Sequence, residues 1–287
     1  MRRILVVLHI YYHDQVDYFI EKFANINSCE WDLLVTYSEH NEITEAKIRK
    51  IKADARFIKV RNVGYDVWPF ICALKGLDLS SYDYIMKMHT KNFQTESWKM
   101  NGLNLKGDMW RDLLVDSILK SPMRFYMALK MFEADHRIGM ICSRELLVRP
   151  GNKHPEDTYL LSEEAERIGI TKVFEPFCAG TMFIVRACCL DRILKADLDE
   201  DIWDPVSSTR SGGSAAHVYE RLFGSSVADS GYRVKGIRAY YKTGLKVKLH
   251  TVVSPILKKI FSMDYGEDGK KALVILGLKI HSFKSDN

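Results

Sequence analysis

The sequence predicts an α/β protein built on a mostly parallel sheet, and three observations carry that prediction. Strand and helix signals alternate through about the first ninety residues, the pattern of crossover units that lay strands side by side. Residues 4–10 (ILVVLHI) form a nearly continuous apolar run, suited to a strand buried on both faces. At 47% hydrophobic and 28% charged, the 287 residues have the composition of one large globular domain with a real core.

The elements follow in order. After the first strand, Val16, Phe19, Ile20 and Phe23 share one helical face within residues 14–26. Residues 31–37 (WDLLVTY) predict a second strand, 42–54 a second helix and 55–60 (ARFIKV) a third strand. Residues 61–77 (RNVGYDVWPFICALKGL) turn through a glycine into a helix, and 82–92 (YDYIMKMHTKN) predict a fourth strand. Beyond it, residues 109–121 and 122–136 read as consecutive helices, the second with Pro122 at its start. Residues 138–142 predict a strand, 149–173 a polar connection with one helix, 179–187 a strand and 188–196 a helix. A flexible loop at 208–214, a helix at 215–228 and a strand at 231–237 complete the domain. No internal repeat or low-complexity segment interrupts this order.

Charge divides the chain unevenly. The net charge is +5, yet residues 233–287 carry twelve Lys or Arg against four acids, so this tail is +8 and the rest −3. A general nucleic-acid binder should spread its basic face across the folded domain, so that class is disfavoured. The tail instead suits an anionic surface. The expected organisation is one domain over residues 1–240 and a basic amphipathic extension over 241–287.

The N-terminus does not read as a signal peptide, and no apolar stretch approaches the roughly 20 residues that span a bilayer. Six cysteines (Cys29, Cys72, Cys142, Cys178, Cys188, Cys189) show no CxxC spacing and read as thiols in a reducing compartment. Cys188 and Cys189 read as core filling. The expected location is cytoplasmic.

Chemistry-bearing residues gather where strands end. In an open α/β sheet, ligands bind outside the carboxyl ends of the strands. His89-Thr90-Lys91-Asn92 ends the fourth strand, where a lysine can neutralise a diphosphate and the histidine or threonine can bond its oxygens. Asn62-Val63-Gly64-Tyr65-Asp66 precedes a helix start, whose free N–H groups suit phosphate; the plain alternative is a tight turn capped by Asp66. His9 and His13 flank the end of the first strand. Trp110 and Arg111 open a helix, and Gly180 lets backbone approach a ligand. His217 and Glu220 share a helical face beside Arg221, and Glu220 can serve as a general base.

Taken in sequence, VVLHIYYHDQVDYFIEKFANI, WDLLVTYSE, VRNVGYDVWPFICALK, YDYIMKMHTKN, WRDLLVDSIL, FCAGTMFIVRA and HVYERLFG resemble the rhamnan synthesis protein F family over roughly residues 3–237. The resemblance implies a GT-A-like, Rossmann-type sheet and an inverting glycosyltransferase of bacterial polysaccharide assembly. His89-Thr90-Lys91 then stands where GT-A enzymes place metal-binding aspartates, so a protein-borne cation replaces the metal and no cofactor is expected. The donor set becomes His9, Asn62, Gly64, Asp66, His89, Thr90 and Lys91. The acceptor set becomes Trp110, Arg111, Gly180, Thr181, Met182, His217 and Arg221, with Glu220 as catalytic base.

The implied donor is dTDP-β-L-rhamnose and the implied acceptor a lipid-linked glycan, met at the cytoplasmic face of the inner membrane. Residues 270–284 (KKALVILGLKIHSFK), with apolar side chains between lysines, suit a peripheral membrane contact or a packed terminal strand. One alternative is a UDP- or GDP-linked donor with Mg²⁺ or Mn²⁺ held by Asp66, Asp83 or Asp112. The other is a non-catalytic glycan-binding partner of a polysaccharide synthase. The polar stretch 92–108 is expected to be a loop that closes over the donor.

Overall fold

The computed structural model describes residues 2–150, 155–205, 214–265, 270–275 and 278–284. The first half forms the predicted alternation: β1 (Arg3–Ile10), α1 (Val16–Phe23), β2 (Glu30–Tyr37), α2 (Glu42–Ile51), β3 (Arg56–Lys59), α3 (Val67–Leu74) and β4 (Tyr84–His89). Then follow β5 (Gln94–Met100), β6 (Leu103–Gly107), α4 (Met109–Leu119), α5 (Pro122–Ala134), β7 (Ile138–Ser143) and β8 (Leu147–Val148). The second half continues with α6 (Pro155–Arg167), β9 (Phe177–Cys178), β10 (Phe183–Arg186), α7 (Asp191–Lys195), α8 (Ala215–Asp229) and β11 (Arg233–Ile237). The chain ends in α9 (Tyr241–Ile260), β12 (Phe261–Tyr265), β13 (Lys270–Ile275) and β14 (Leu278–Lys284).

Seven strands make the central sheet in the order β11-β7-β10-β4-β1-β2-β3. β10 alone runs antiparallel to its neighbours. From β1 the chain moves outward through β2 and β3, then returns to place β4 on the other side of β1, with His9 opposite His89. That reversal makes a topological switch point at the carboxyl ends of β1 and β4.

Burial follows the residue pattern. Ile4 to Leu8 and Ile10 are 0–1% exposed, as a central strand covered on both faces requires. Phe70, Phe183 and Phe223 pack edge to face and tie α3 and α8 to the sheet. The predicted strand at 179–187 is shorter than expected. Gly180 and Thr181 take positive φ (90° and 49°), which breaks the extended path before β10.

Two further expectations change. Residues 94–107 form a two-stranded hairpin, and its Trp98 packs on Trp110 at 4.3 Å, so the stretch expected as a loop is ordered strand. Cys188 is exposed while Cys189 is buried, so only one of the pair fills the core; all six thiols are free. Much of the loop expected at 208–214, and residues 151–154 of the 149–173 connection, lie outside the described residues; the helix expected in that connection is α6.

The basic tail begins with a helix and ends in strands, as one of the two readings of residues 270–284 expected. Its helix α9 is docked: Thr243 donates to the buried Asp116 at 2.7 Å, Val247 is 1% exposed, and Thr251 accepts the Asn104 N–H at 2.9 Å. After it, β12, β13 and β14 form an antiparallel three-stranded sheet. No helix among the described residues is long and apolar enough to cross a membrane.

Candidate active site

A pocket of about 300 Å³ opens at the switch point, lined by His9, Tyr11, Tyr12, Tyr65, Asp66 and the run His89 to Asn92. The end of β1 supplies one wall, the turn before α3 a second, and the end of β4 the third.

The turn before α3 is held from behind. Gly64 has φ +64°, and a Cβ there would lie 2.7 Å from Trp203 Cε3 and from Trp68 Cβ. Its N–H donates to the Asp204 carbonyl at 2.9 Å, and Val63 bridges to Pro205. Glycine is therefore required for close packing as well as for the left-handed turn. Gly64 thus sets the position of Asp66 without lining the pocket, and the expected donor contact at Gly64 is indirect.

Asp66 stands at the N-cap position of α3 but makes no side-chain cap. Its carboxylate accepts from the Lys87 ammonium and the Thr181 hydroxyl, and Lys87 also donates to Thr181 Oγ1 at 2.8 Å. His89 Nε2 is 3.5 Å away. Burial alone would raise the Asp66 carboxyl, yet the positive charge of His89, Lys87 and Lys91 holds it well below the usual range. The plain helix-cap alternative for Asp66 is overturned.

Lys87 is the member that sequence reasoning missed. It is 1% exposed in mid-strand, and burial pushes its pKa down while Asp66 opposes that shift. The available signal was its parity: Ile85, Lys87 and His89 share one face of β4, so the lysine points where His89 points. Tyr11, Tyr12, Tyr65 and Asn92 also line the pocket and were not in the expected sets.

His89 is buried with Nδ1 at 3.0 Å from the Thr90 carbonyl and Nε2 at 2.9 Å from the Gly180 carbonyl. Two acceptors and a nearby carboxylate favour the charged ring, but burial outweighs them and pushes the pKa down to about 4. His9 is likewise pushed down by burial, to about 3, and its Nδ1 meets Thr36 Oγ1 at 3.0 Å. Thr90 uses its hydroxyl oxygen to accept the Tyr11 and Tyr12 N–H groups at 2.9 and 3.0 Å, joining β4 to the end of β1.

Lys91 is one of the residues that line the pocket. Gln15 clamps its backbone at both N–H and C=O, and its Nζ lies 3.4 Å above the Trp110 ring. Among the described residues no carboxylate lies within ion-pairing distance of it. Burial lowers its pKa against the opposing fields of Asp66 and Glu220. Lys87 is paired with Asp66, whereas the Lys91 ammonium rests on the Trp110 ring.

Glu220, in α8, accepts the Gly180 N–H at 2.6 Å. Burial raises its pKa, with the Asp66 charge adding to the rise and the Gly180 N–H opposing it. Trp110 meets the same glycine: a Cβ on Gly180 would be 2.7 Å from Trp110 Nε1 and 2.9 Å from Leu114 Cδ1. His217 bonds Ser214 Oγ through Nδ1 at 2.6 Å and faces Tyr65 across 6.2 Å. Arg221 donates to the His217 carbonyl at 2.5 Å and lies over the Phe177 ring.

Of the expected residues, His9, Asp66, His89, Thr90 and Lys91 line the pocket, while Asn62, Gly64, Glu220 and the whole acceptor set do not. Asn62 is exposed outside the pocket. Met182 is fully buried in the core, because side chains alternate as the chain enters β10. Arg111 pairs with Asp108 and Asp112 and stacks on Tyr18 at 3.9 Å, so it braces α4 against α1.

Of the carboxylates considered for a metal, Asp83 accepts from the Arg3 N–H at the amino end of β4, and Asp112 is held by Arg111. Only Asp66 reaches the pocket, already engaged by Lys87 and Thr181. Among the described residues no group of three or more His, Cys, Asp or Glu is arranged to hold a metal. Mg²⁺ at a substrate diphosphate needs only one or two carboxylates, and the one carboxylate that lines the pocket, Asp66, already accepts from Lys87 and Thr181.

Sheet order and pocket position define an α/β protein with a mostly parallel seven-stranded sheet and a cleft at its switch point. The description of the rhamnan synthesis protein F family matches residues 1–232, and the chain belongs to that family. No curated protein matches the chain. Among solved structures, TarS from S. aureus is similar at 13% identity and TM-score 0.41, covering 88% of this chain and 65% of its own. The mannosyltransferase PcManGT from Pyrobaculum calidifontis, solved with GDP-Man and Mn²⁺, has 12% identity and TM-score 0.41, covering 89% and 64%. Glucosyl-3-phosphoglycerate synthase from Mycobacterium tuberculosis has 11% identity and TM-score 0.33, covering 99% and 90%. The chain thus spans slightly less than two thirds of the first two. Likenesses this loose assign no substrate or activity here.

Proposed function

We propose that the protein is an inverting, metal-independent glycosyltransferase that moves L-rhamnose from dTDP-rhamnose to a lipid-linked glycan at the cytoplasmic face of the membrane. The observation that carries this reading is Lys91, a lysine lining the pocket at the switch point of the sheet with no carboxylate within ion-pairing distance among the described residues. Family membership supports polysaccharide synthesis as its setting.

The donor diphosphate lies against Lys91, whose charge offsets the charge that builds on the leaving oxygen. Tyr11 and Tyr12, at the end of β1, offer ring faces to the base and sugar. Glu220 takes the proton from an acceptor hydroxyl. That oxygen forms its bond to the anomeric carbon as the bond to the diphosphate breaks, and the nucleoside diphosphate leaves. One displacement inverts the anomeric centre, so one carboxylate suffices. The raised pKa of Glu220 makes it a stronger base than an ordinary glutamate. Asp66, ion-paired with Lys87 and hydrogen-bonded by Thr181, positions His89 and the turn before α3 and does no proton transfer.

The test is a transfer assay on the purified chain with dTDP-rhamnose and a lipid-linked acceptor in EDTA. The proposal expects release of dTDP with elongation of the acceptor. Turnover only with UDP- or GDP-sugars and added Mn²⁺ would replace both the donor and the metal-free chemistry.

A further inference from the structure

The helix α9 is amphipathic in an inverted sense: its packed face is small and polar, and its apolar face points out. Thr243, Val247 and Thr251 lie on the inner side, held by Asp116, the domain core and Asn104. On the opposite side, Tyr241, Leu245, Leu249, Val252 and Ile256 are 66%, 64%, 60%, 63% and 51% exposed. Their spacing of three and four residues places them in one stripe along the helix. A run of five large exposed side chains on one fixed helix exceeds the scattered apolar residues of an ordinary surface.

The charge beside that stripe has one sign. Residues 241–260 contain five lysines and no acidic residue. Lys242, Lys246 and Lys248 are exposed and fall on the flanks of the stripe at helical spacing. A second protein with a matching apolar face would meet three unbalanced cations, whereas an anionic lipid surface supplies both the apolar layer and the counter-charge.

We propose that α9 is a membrane-contact helix, its stripe from Tyr241 to Ile256 entering the interfacial layer of an anionic bilayer while the lysine rim meets the headgroups. This places the contact on the helix, not on the strands of residues 270–284 where the sequence suggested it. The proposal deepens the reading of a lipid-linked acceptor, since a domain held on the bilayer meets such an acceptor directly. Its own basis is the helix surface, so it can fail while the catalytic reading stands.

The experiment is co-sedimentation of the full chain with vesicles of equimolar phosphatidylglycerol and phosphatidylcholine, and with phosphatidylcholine alone. The expected result is binding to the anionic vesicles that weakens with salt and drops sharply on the neutral ones. The exposed-site variant Leu245→Asp/Leu249→Asp should bind at least about tenfold more weakly, since each leucine contributes apolar transfer of that order. Lys242→Glu/Lys246→Glu should weaken binding and flatten its salt dependence. An unchanged far-ultraviolet spectrum and melting midpoint in both variants separate surface loss from misfolding. Undiminished vesicle binding by the leucine variant would overturn the proposal. So would a lipid-free dimer of the parent chain that the same variant dissociates, because the stripe would then be a contact between copies. The assay reads no glycosyl transfer, so failure of the catalytic reading shows separately in the transfer assay.

Discussion

Glu220 and His89 are joined through one glycine: Glu220 accepts the Gly180 N–H at 2.6 Å, and His89 Nε2 lies 2.9 Å from the Gly180 carbonyl. The end of β4 and the face of α8 are therefore tied through the two side chains to the backbone of a single residue. Gly180 adopts φ +90° to do this, and Trp110 leaves no room for a Cβ.

Gly180→Ala should accordingly be costly at two levels. The added methyl is strained by its backbone and would press on Trp110 and Leu114, at a cost of about 1–3 kcal/mol. A lowered melting midpoint with loss of turnover is expected. An alanine variant with native stability and native turnover would show that the glycine link does not govern the site.

Glu220→Gln keeps the shape and removes the base. Turnover should fall by about 10²- to 10⁴-fold while donor affinity stays close to the parent value. Single-turnover kinetics beside calorimetric donor binding would separate the two effects. Turnover within a few-fold of the parent would remove Glu220 from the chemistry.

The pH profile follows from the same groups. Glu220 acts as its carboxylate, and burial raises its pKa above the ordinary 4.5, so kcat/KM should fall on the acid side at a pH above that value. His89 is pushed down to about 4, so it should add no step between about pH 5.5 and 8. Asp66 behaves in the opposite way from Glu220. Its depressed pKa contributes stability that is present above the ordinary value of 3.8 and is lost only as pH falls through the lower folded value. A rate profile in buffered series, read beside melting midpoints, checks both limbs.

Asp66→Asn should be among the most destabilising single changes in the chain. It would leave the Lys87 ammonium, 1% exposed, without its counter-charge, at a cost of about 3–5 kcal/mol. Asp66→Asn/Lys87→Met removes both members and should recover much of that loss, because a buried pair is held at a desolvation cost. Chemical denaturation of the three proteins forms the cycle. No recovery in the double variant would mean that Asp66 is held by something other than Lys87.

Much of this fold was legible from periodicity alone. The apolar run in β1, the alternation through β4 and the paired helices α4 and α5 all appear where spacing places them. Long-range closeness was not legible. Nothing local to Lys87 says that Asp66 and Thr181 will converge on it, since they lie 21 and 94 residues away. Arg111 and Met182 were misplaced for a related reason: a motif gives the neighbourhood, but helix phase and strand parity decide which way a side chain points. The α9 stripe was obscured because its apolar residues face outward, against the usual expectation for a docked helix.

The measurement that tests the central claim most directly is calorimetric titration of dTDP-rhamnose, dTDP, UDP and GDP into the protein in EDTA, repeated for Lys91→Ala. The account predicts dTDP and dTDP-rhamnose binding without metal, selective over UDP and GDP, that collapses in the variant. Binding that needs Mg²⁺ or Mn²⁺, or that survives loss of Lys91, would contradict it.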